Sequence, residues 1–211
     1  MDLAQFVNHF IGLLVIANPL SALPVVLKIT RNKTIPEKRR TGVKAAFAVG
    51  LIFLIVTWIG GPLLHILGIN IPAFQVAGGV IVFMLALSLL NAEESSIKHN
   101  PEENEKNSQL GAIVPLAMPI IAGPGAISTI IVQVDRFPTL FNQFLISVAS
   151  LLVAFVMGVL LYFAADLEKL CGKSGINIIN RLSGLILAAI AIQMLASGVL
   201  GLFPILKGDL P

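Results

Sequence analysis

Between Leu3 and Leu27 the chain carries no charged side chain, which is the pattern of a helix crossing lipid, yet Asn18-Pro19 stands in the middle of that run. Proline lacks an N–H and its ring clashes with the carbonyl one turn earlier, so a helix arriving from Leu3 ends or kinks near Ala17. Pro19 suits the first turn of a new helix, and Asn18 suits its cap. The same device recurs 105 residues later as Gly123-Pro124-Gly125, inside the uncharged run from Asn107 to Val134. Lipid offers no partner for loose backbone groups, so irregular backbone at that depth has to be buried or to line a cavity.

A bilayer span takes about 20 apolar residues, and the uncharged runs supply six. They cover about 5–27, 44–66, 72–91, 109–134, 142–165 and 182–203, with Gly60-Gly61-Pro62 and Asn70-Ile71-Pro72 marking the turn between the second and third. The expected fold is therefore an all-α integral membrane protein. With 56% hydrophobic and 12% charged residues and a mean hydropathy of +0.93, the composition lies far from that of a soluble domain. The start Met1-Asp2-Leu3-Ala4 has neither a basic region nor a cleavage pattern, so the first run reads as a retained span. The single Cys171 excludes an internal disulfide.

Basic residues fix the expected orientation. With both termini outside, twelve of the fourteen Lys and Arg residues fall in inner loops and only Arg136 and Lys207 fall outside. That bias explains the pI near 9.2 without a nucleic-acid partner. It also requires an even number of spans, hence six, with Cys171 in the last inner loop. The halves 1–105 and 106–211 then form two three-span repeats, the second entering the membrane the other way up. Residue identity at the 105 offset is no better than chance, and the repeat rests on the span count and on pairs such as Pro19/Pro124, Gly79/Gly184 and Ala86/Ala191.

In such an inverted repeat the half-helices that begin at Pro19 and Pro124 run in opposite directions and aim their electropositive N-termini at a shared midplane site for a carboxylate. The carbonyl ends of the preceding halves suit an ammonium group or a cation. The expected substrate-binding residues are Asn18, Pro19, Ser21, Gly123, Pro124, Gly125, Ser128, Thr129 and Gln193. Two structural readings compete with this one. Ser21, Ser128 and Thr129 can instead bond carbonyls one turn back, and Gln193 can bond a neighbouring helix.

No Asp, Glu, Lys or Arg lies in the middle of any expected span, which argues against a proton relay and against an embedded hydrolase. The chain is not expected to be an enzyme. His9, His65 and His99 lack metal-ligand spacing and read as interfacial. Gln75 reads as snorkelling at a span end, and Trp58 as packed between helices. No cofactor is called for, and coupling to Na⁺ or H⁺ stays open, as does the oligomeric state.

Four stretches, Ala17–Pro24, Ile71–Gly79, Val114–Ser128 and Gly175–Gly184, resemble the MarC-related family, which includes the neutral amino acid transporters called NAAT, and in particular its YchE-like branch. The resemblance covers nearly the whole chain, and Ala-Gly-Pro-Gly-Ala-Ile-Ser at 122–128 is its most specific part. It implies a six-span protein of the bacterial inner membrane that moves small neutral amino acids such as glycine, alanine or serine. Relatives often carry Arg where this chain has Gln75. Two other functions fit the same sequence: a non-transporting scaffold or assembly partner, and a passive channel for small polar solutes.

Overall fold

The structure is a computed structural model that describes residues 1–30, 33–91 and 122–207. Among these it contains α1 (Leu3–Ala17), α2 (Pro19–Ile29), α3 (Ile35–Ile66), α4 (Ile71–Asn91), α5 (Pro124–Arg136), α6 (Leu140–Tyr162) and α7 (Ala164–Leu202). A 3₁₀ turn follows at Pro204–Lys207. No strand occurs among the described residues. Four segments are long and apolar enough to cross a membrane: Ile35–Ile66, Ile71–Leu90, Leu140–Tyr162 and Ile178–Leu202.

The helix ends follow local chemistry. A capping box starts α1, with Asp2 accepting from the Gln5 N–H and the Gln5 side chain accepting from the Asp2 N–H. α1 stops at Ala17 because Pro19 cannot continue it. Asn18 turns into the left-handed region with φ 40° and donates its N–H to the Leu14 carbonyl, a conformation that asparagine tolerates better than most residues. Asn18 therefore closes α1 as much as it opens α2. Gly123 caps α5, whose first residue is Pro124. The expected break in the fourth run thus coincides with a helix start, and residues 92–121, with Pro115 and Pro119, lie outside the described residues.

Two expected boundaries move. α3 begins at Ile35, well before the expected 44, through a second capping box in which Glu37 accepts from the Thr34 backbone and hydroxyl. α7 runs unbroken from Ala164, so the stretch expected to be the last inner loop, Cys171 included, is helical. The cause is common to both. Absence of charge marks where a helix is greasy and says nothing about where its hydrogen bonding stops. Neither Glu37–Lys44 nor Asp166–Arg181 contains a proline. Pro62, expected to mark a turn, sits inside α3, and the turn comes at Leu67–Asn70, with Gly68 at φ +69°.

The bundle is built on two antiparallel pairs, α4 with α7 and α3 with α6. In the first pair a Cβ on Gly79 would touch Leu195 and the Ala191 carbonyl, and a Cβ on Gly184 would touch Leu90 and the Ala86 carbonyl. In the second, Gly42 seats on Leu161, Gly50 on Ala154 and Gly158 on Ala46. Small residues let backbones approach where packing, with no hydrophobic drive, must hold helices together. Polar bonds tie α3 to α6 as well: Gln143 Nε2 donates to the Thr57 carbonyl at 2.8 Å, and Trp58 Nε1 donates to Ser147 Oγ at 3.1 Å. Trp58 is 47% exposed, so its ring faces outward rather than being wedged between helices as expected. α1, α2 and α5 pack onto these pairs.

Candidate functional site

A cavity of about 590 Å³ opens between α1, α4, α5 and α7, at the end of the bundle where α1 begins and α7 finishes. Its walls are helix faces with a polar stripe. α1 contributes Gln5, Asn8, His9, Gly12 and Ile16; α5 contributes Thr129, Gln133 and Arg136; α7 contributes Ile190, Gln193, Met194 and Ser197; and Gln75 comes from α4. The spacings are those of one helical face. Nine of the fourteen lining residues, Phe137 being the last of them, are polar; Arg136 is the one permanent charge, and none is a carboxylate.

Of the nine expected binding residues, the cavity takes in two, Thr129 and Gln193. Gln193 lines the cavity. Thr129 Oγ1 donates to the Gly125 carbonyl at 2.9 Å, one turn back, and lies 3.9 Å from Met194 Sδ. Ser128 is fully buried, reaches the Phe74 carbonyl of α4 at 3.4 Å and presses on Gly78. Asn18 and Pro19 are buried at the α1–α2 junction. Gly123 and Pro124 form the start of α5. Gly125 is pinned between Val82 and Ile16: a Cβ there would overlap Val82 Cγ2 and come 3.2 Å from Ile16 Cγ2. The side chain of Ser21 lies outside the described residues.

The start of α5 lies against the end of α1, because Gly125 meets Ile16 two residues before Asn18, whereas α2 and α5 themselves barely touch. Between Gly125 and the cavity stand Ile16 and Thr129, the latter bonded to the Gly125 carbonyl. Ile16 lines the cavity on one side and touches Gly125 on the other, and Val82 closes over Gly125. The cavity ends on this floor.

Residues that sequence reading passed over complete the walls. Gln75 lines the cavity instead of snorkelling, and Gln5, Asn8, Gln133 and Ser197 join it. His9, expected at the interface, is 5% exposed, and its Nε2 has no hydrogen-bond partner. The available signal was a pair of amides or hydroxyls at i, i+3 or i+4 on each of three otherwise apolar helices, Gln5/Asn8, Thr129/Gln133 and Gln193/Ser197. Near the mouth the N-terminal amine donates to Asn142 Oδ1 at 2.8 Å, anchoring α1 to α6. His65 is exposed, beside a shallower depression of about 390 Å³ at the α3–α4 turn that also includes Asn70 and Asp135. His99 lies outside the described residues. No His, Cys, Asp or Glu cluster of metal-binding geometry occurs among the described residues.

The family described as "MarC family integral membrane protein" matches residues 3–203. The chain belongs to the MarC family. Similar members include the UPF0056 membrane protein BU267 of Buchnera aphidicola subsp. Acyrthosiphon pisum, 37% identical over 205 residues, covering 96% of this chain and 95% of the relative. UPF0056 membrane protein YhcE of Escherichia coli is 34% identical over 205 residues, again covering 96% and 95%. UPF0056 membrane protein MJ0972 of Methanocaldococcus jannaschii is 30% identical over 206 residues, covering 96% and 90%. No solved structure matches the chain. As a MarC protein the chain is an integral membrane protein, and its cavity is a polar compartment within one.

Proposed function

We propose that this MarC protein is a secondary transporter of small neutral amino acids, that the cavity is its vestibule, and that the starts of α2 and α5 beneath the Ile16–Val82 floor are the central site. The carrying observation is the lining: nine polar side chains, one of them Arg and none a carboxylate, around about 590 Å³, within the usual size range of small-molecule sites. A zwitterion has both signs of charge and no net charge, so amides, backbone dipoles and a single guanidinium suffice to hold it.

Alternation between two access states follows from the inverted repeat, with 1–105 and 106–211 as its units. The packing favours that reading. At the 105 offset α2 corresponds to α5, α3 to α6 and α4 to α7. The two dominant pairs are then self-paired across a pseudo-two-fold axis, and α2 packs on α6 and α7 as α5 packs on α3 and α4. Gly79 and Gly184 occupy equivalent seats, each against the other helix's alanine and leucine. The distribution of Lys and Arg supports a cavity mouth on the outer side of a bacterial inner membrane.

The tight seat of Gly125 against Val82 gives one point to the scaffold reading, in which the breaks serve packing alone. Uptake and counterflow of labelled glycine, alanine and serine in proteoliposomes, with and without Na⁺ or H⁺ gradients, separate the readings. Saturable uptake with counterflow is expected. Flux without saturation would indicate a passive channel, and no flux of any of the three would leave the scaffold.

A further inference from the structure

Two costly choices stand side by side on α1. His9 is buried with Nε2 unpartnered, although a histidine retained for packing normally has its ring nitrogens bonded. Gly12, three residues on and on the same face, weakens a helix interior. Glycines kept for close helix contact have a neighbour against them, as Gly78 has Ser128 and Gly60 has Ile131, whereas a Cβ at Gly12 would meet nothing within 4 Å. Both residues front the cavity. Nε2 itself has almost no accessible surface, so the ring has to turn to present it to the space that Gly12 leaves open. An orphaned hydrogen-bonding atom one ring rotation from an open space describes half of a ligand contact.

The geometry points to an entry site for the transported amino acid on the His9–Gly12 face of α1, where His9 Nε2 hydrogen-bonds the solute's charged head and Gly12 leaves room for its body. This rests on the transporter reading above. As a bare nitrogen Nε2 accepts from an ammonium; as an N–H it donates to a carboxylate; a zwitterion satisfies either form. Among the cavity-lining residues, α5 brings the charged Arg136, whereas α4 and α7 bring neither charged nor titratable groups. Arg136 can therefore take the carboxylate.

The test uses the purified full-length chain, with the affinity for glycine, alanine and serine measured by calorimetry in detergent and counterflow measured in proteoliposomes. His9→Phe should weaken Kd at least tenfold while the melting temperature holds or rises, because the orphaned atom is gone. His9→Gln, which keeps a hydrogen-bonding group at similar reach, should stay within about threefold of wild type. Gly12→Val should weaken serine more than glycine, a size grading that a purely structural role would not produce. Should His9→Phe fail to fold, His9→Leu and the Gly12→Val grading decide in its place. Unchanged affinity in folded His9→Phe or His9→Leu protein that still transports, with no size grading in Gly12→Val, overturns the entry site and leaves the transporter reading intact. His9-dependent binding without flux does the reverse, and wild-type protein that neither binds nor transports removes both.

Discussion

Gly125→Ala is the substitution that most directly probes the floor of the cavity. The new methyl would overlap Val82 Cγ2 and stand 3.2 Å from Ile16 Cγ2. Val82 is 3% exposed, and its branched side chain has little rotamer freedom on a helix. Overpacking of this kind costs about 1–3 kcal/mol. Alanine returns at most about 1 kcal/mol of helix propensity, and less in a first turn. The net loss is therefore about 1–2 kcal/mol, or roughly 2–8 °C in melting temperature for a chain of this size.

Val82→Ala alone removes two carbons and should cost about 1 kcal/mol through lost packing contacts and the cavity left behind. In the double variant the methyl added at position 125 occupies space that the valine side chain has vacated, so the costs should not add: a favourable coupling of about 1–3 kcal/mol is expected. Thermal unfolding of the wild type, both single variants and the double variant in one detergent measures it. Additive losses, or a Gly125→Ala protein as stable as wild type, would refute the claim that Gly125 is kept for close approach to Val82. Under the transporter reading, uptake should fall in Gly125→Ala and recover in the double variant.

Other parts of the molecule carry their own expectations. Glu37, in the polar first turn of α3 ahead of its apolar stretch, is held below the ordinary glutamate range, first by the Thr34 backbone N–H and then by the Thr34 hydroxyl, with burial opposing them and the Lys33 charge adding a smaller lowering. A depressed folded-state value means that the cap is at full strength above the ordinary glutamate range and is lost as pH falls through the lowered value. Amide exchange in the first turn of α3 should therefore speed up on acidification, and Glu37→Gln should remove that dependence. Ser147→Ala deprives Trp58 Nε1 of its acceptor and should cost about 1 kcal/mol in thermal unfolding; no loss would mean the indole finds another partner. With Cys171 replaced by Ser, Asn70→Cys in the α3–α4 turn should be labelled by a membrane-impermeant thiol reagent in intact cells, and labelling only in inverted vesicles would reverse the orientation.

Helix starts were legible because proline and its neighbours act locally: Pro19 and Pro124 each open a helix whatever surrounds them. Helix lengths were less so, since Glu37–Lys44 and Asp166–Arg181 leave the greasy zone without leaving the helix. The cavity was the least legible. A search for ionised groups at mid-span finds none, yet amides and hydroxyls cost far less to bury than charges and can line a wall in numbers. Thr129, Gln133 and Arg136 on α5, with Gln193 and Ser197 on α7, are ordinary when taken singly and converge only through the α1–α5 and α4–α7 packing. His9 looked interfacial because it lies near the chain start, but α1 enters beside α6 through the Met1–Asn142 bond, which places it against the bundle.

Under the transporter reading, the position of the floor accounts for selectivity in a site built from dipoles. The N–H groups at a helix start attract any anion, chloride included, and are screened wherever water reaches them. At the start of α2 Asn18 and Pro19 are buried, while at the start of α5 Gly125 is buried, Gly123 half-buried and Pro124 exposed. In that reading the buried part is reached from the cavity only where Ile16 and Val82 part. Under the transporter reading, a solute that draws its binding energy from the vestibule amides, Arg136 and α2/α5 together can offset that opening, whereas a bare ion that engages only the helix starts cannot. Widening the floor without touching any polar group should therefore relax selectivity. Val82→Ala proteoliposomes are expected to leak chloride while still taking up the amino acid, and a variant that stays chloride-tight would place the selective barrier elsewhere.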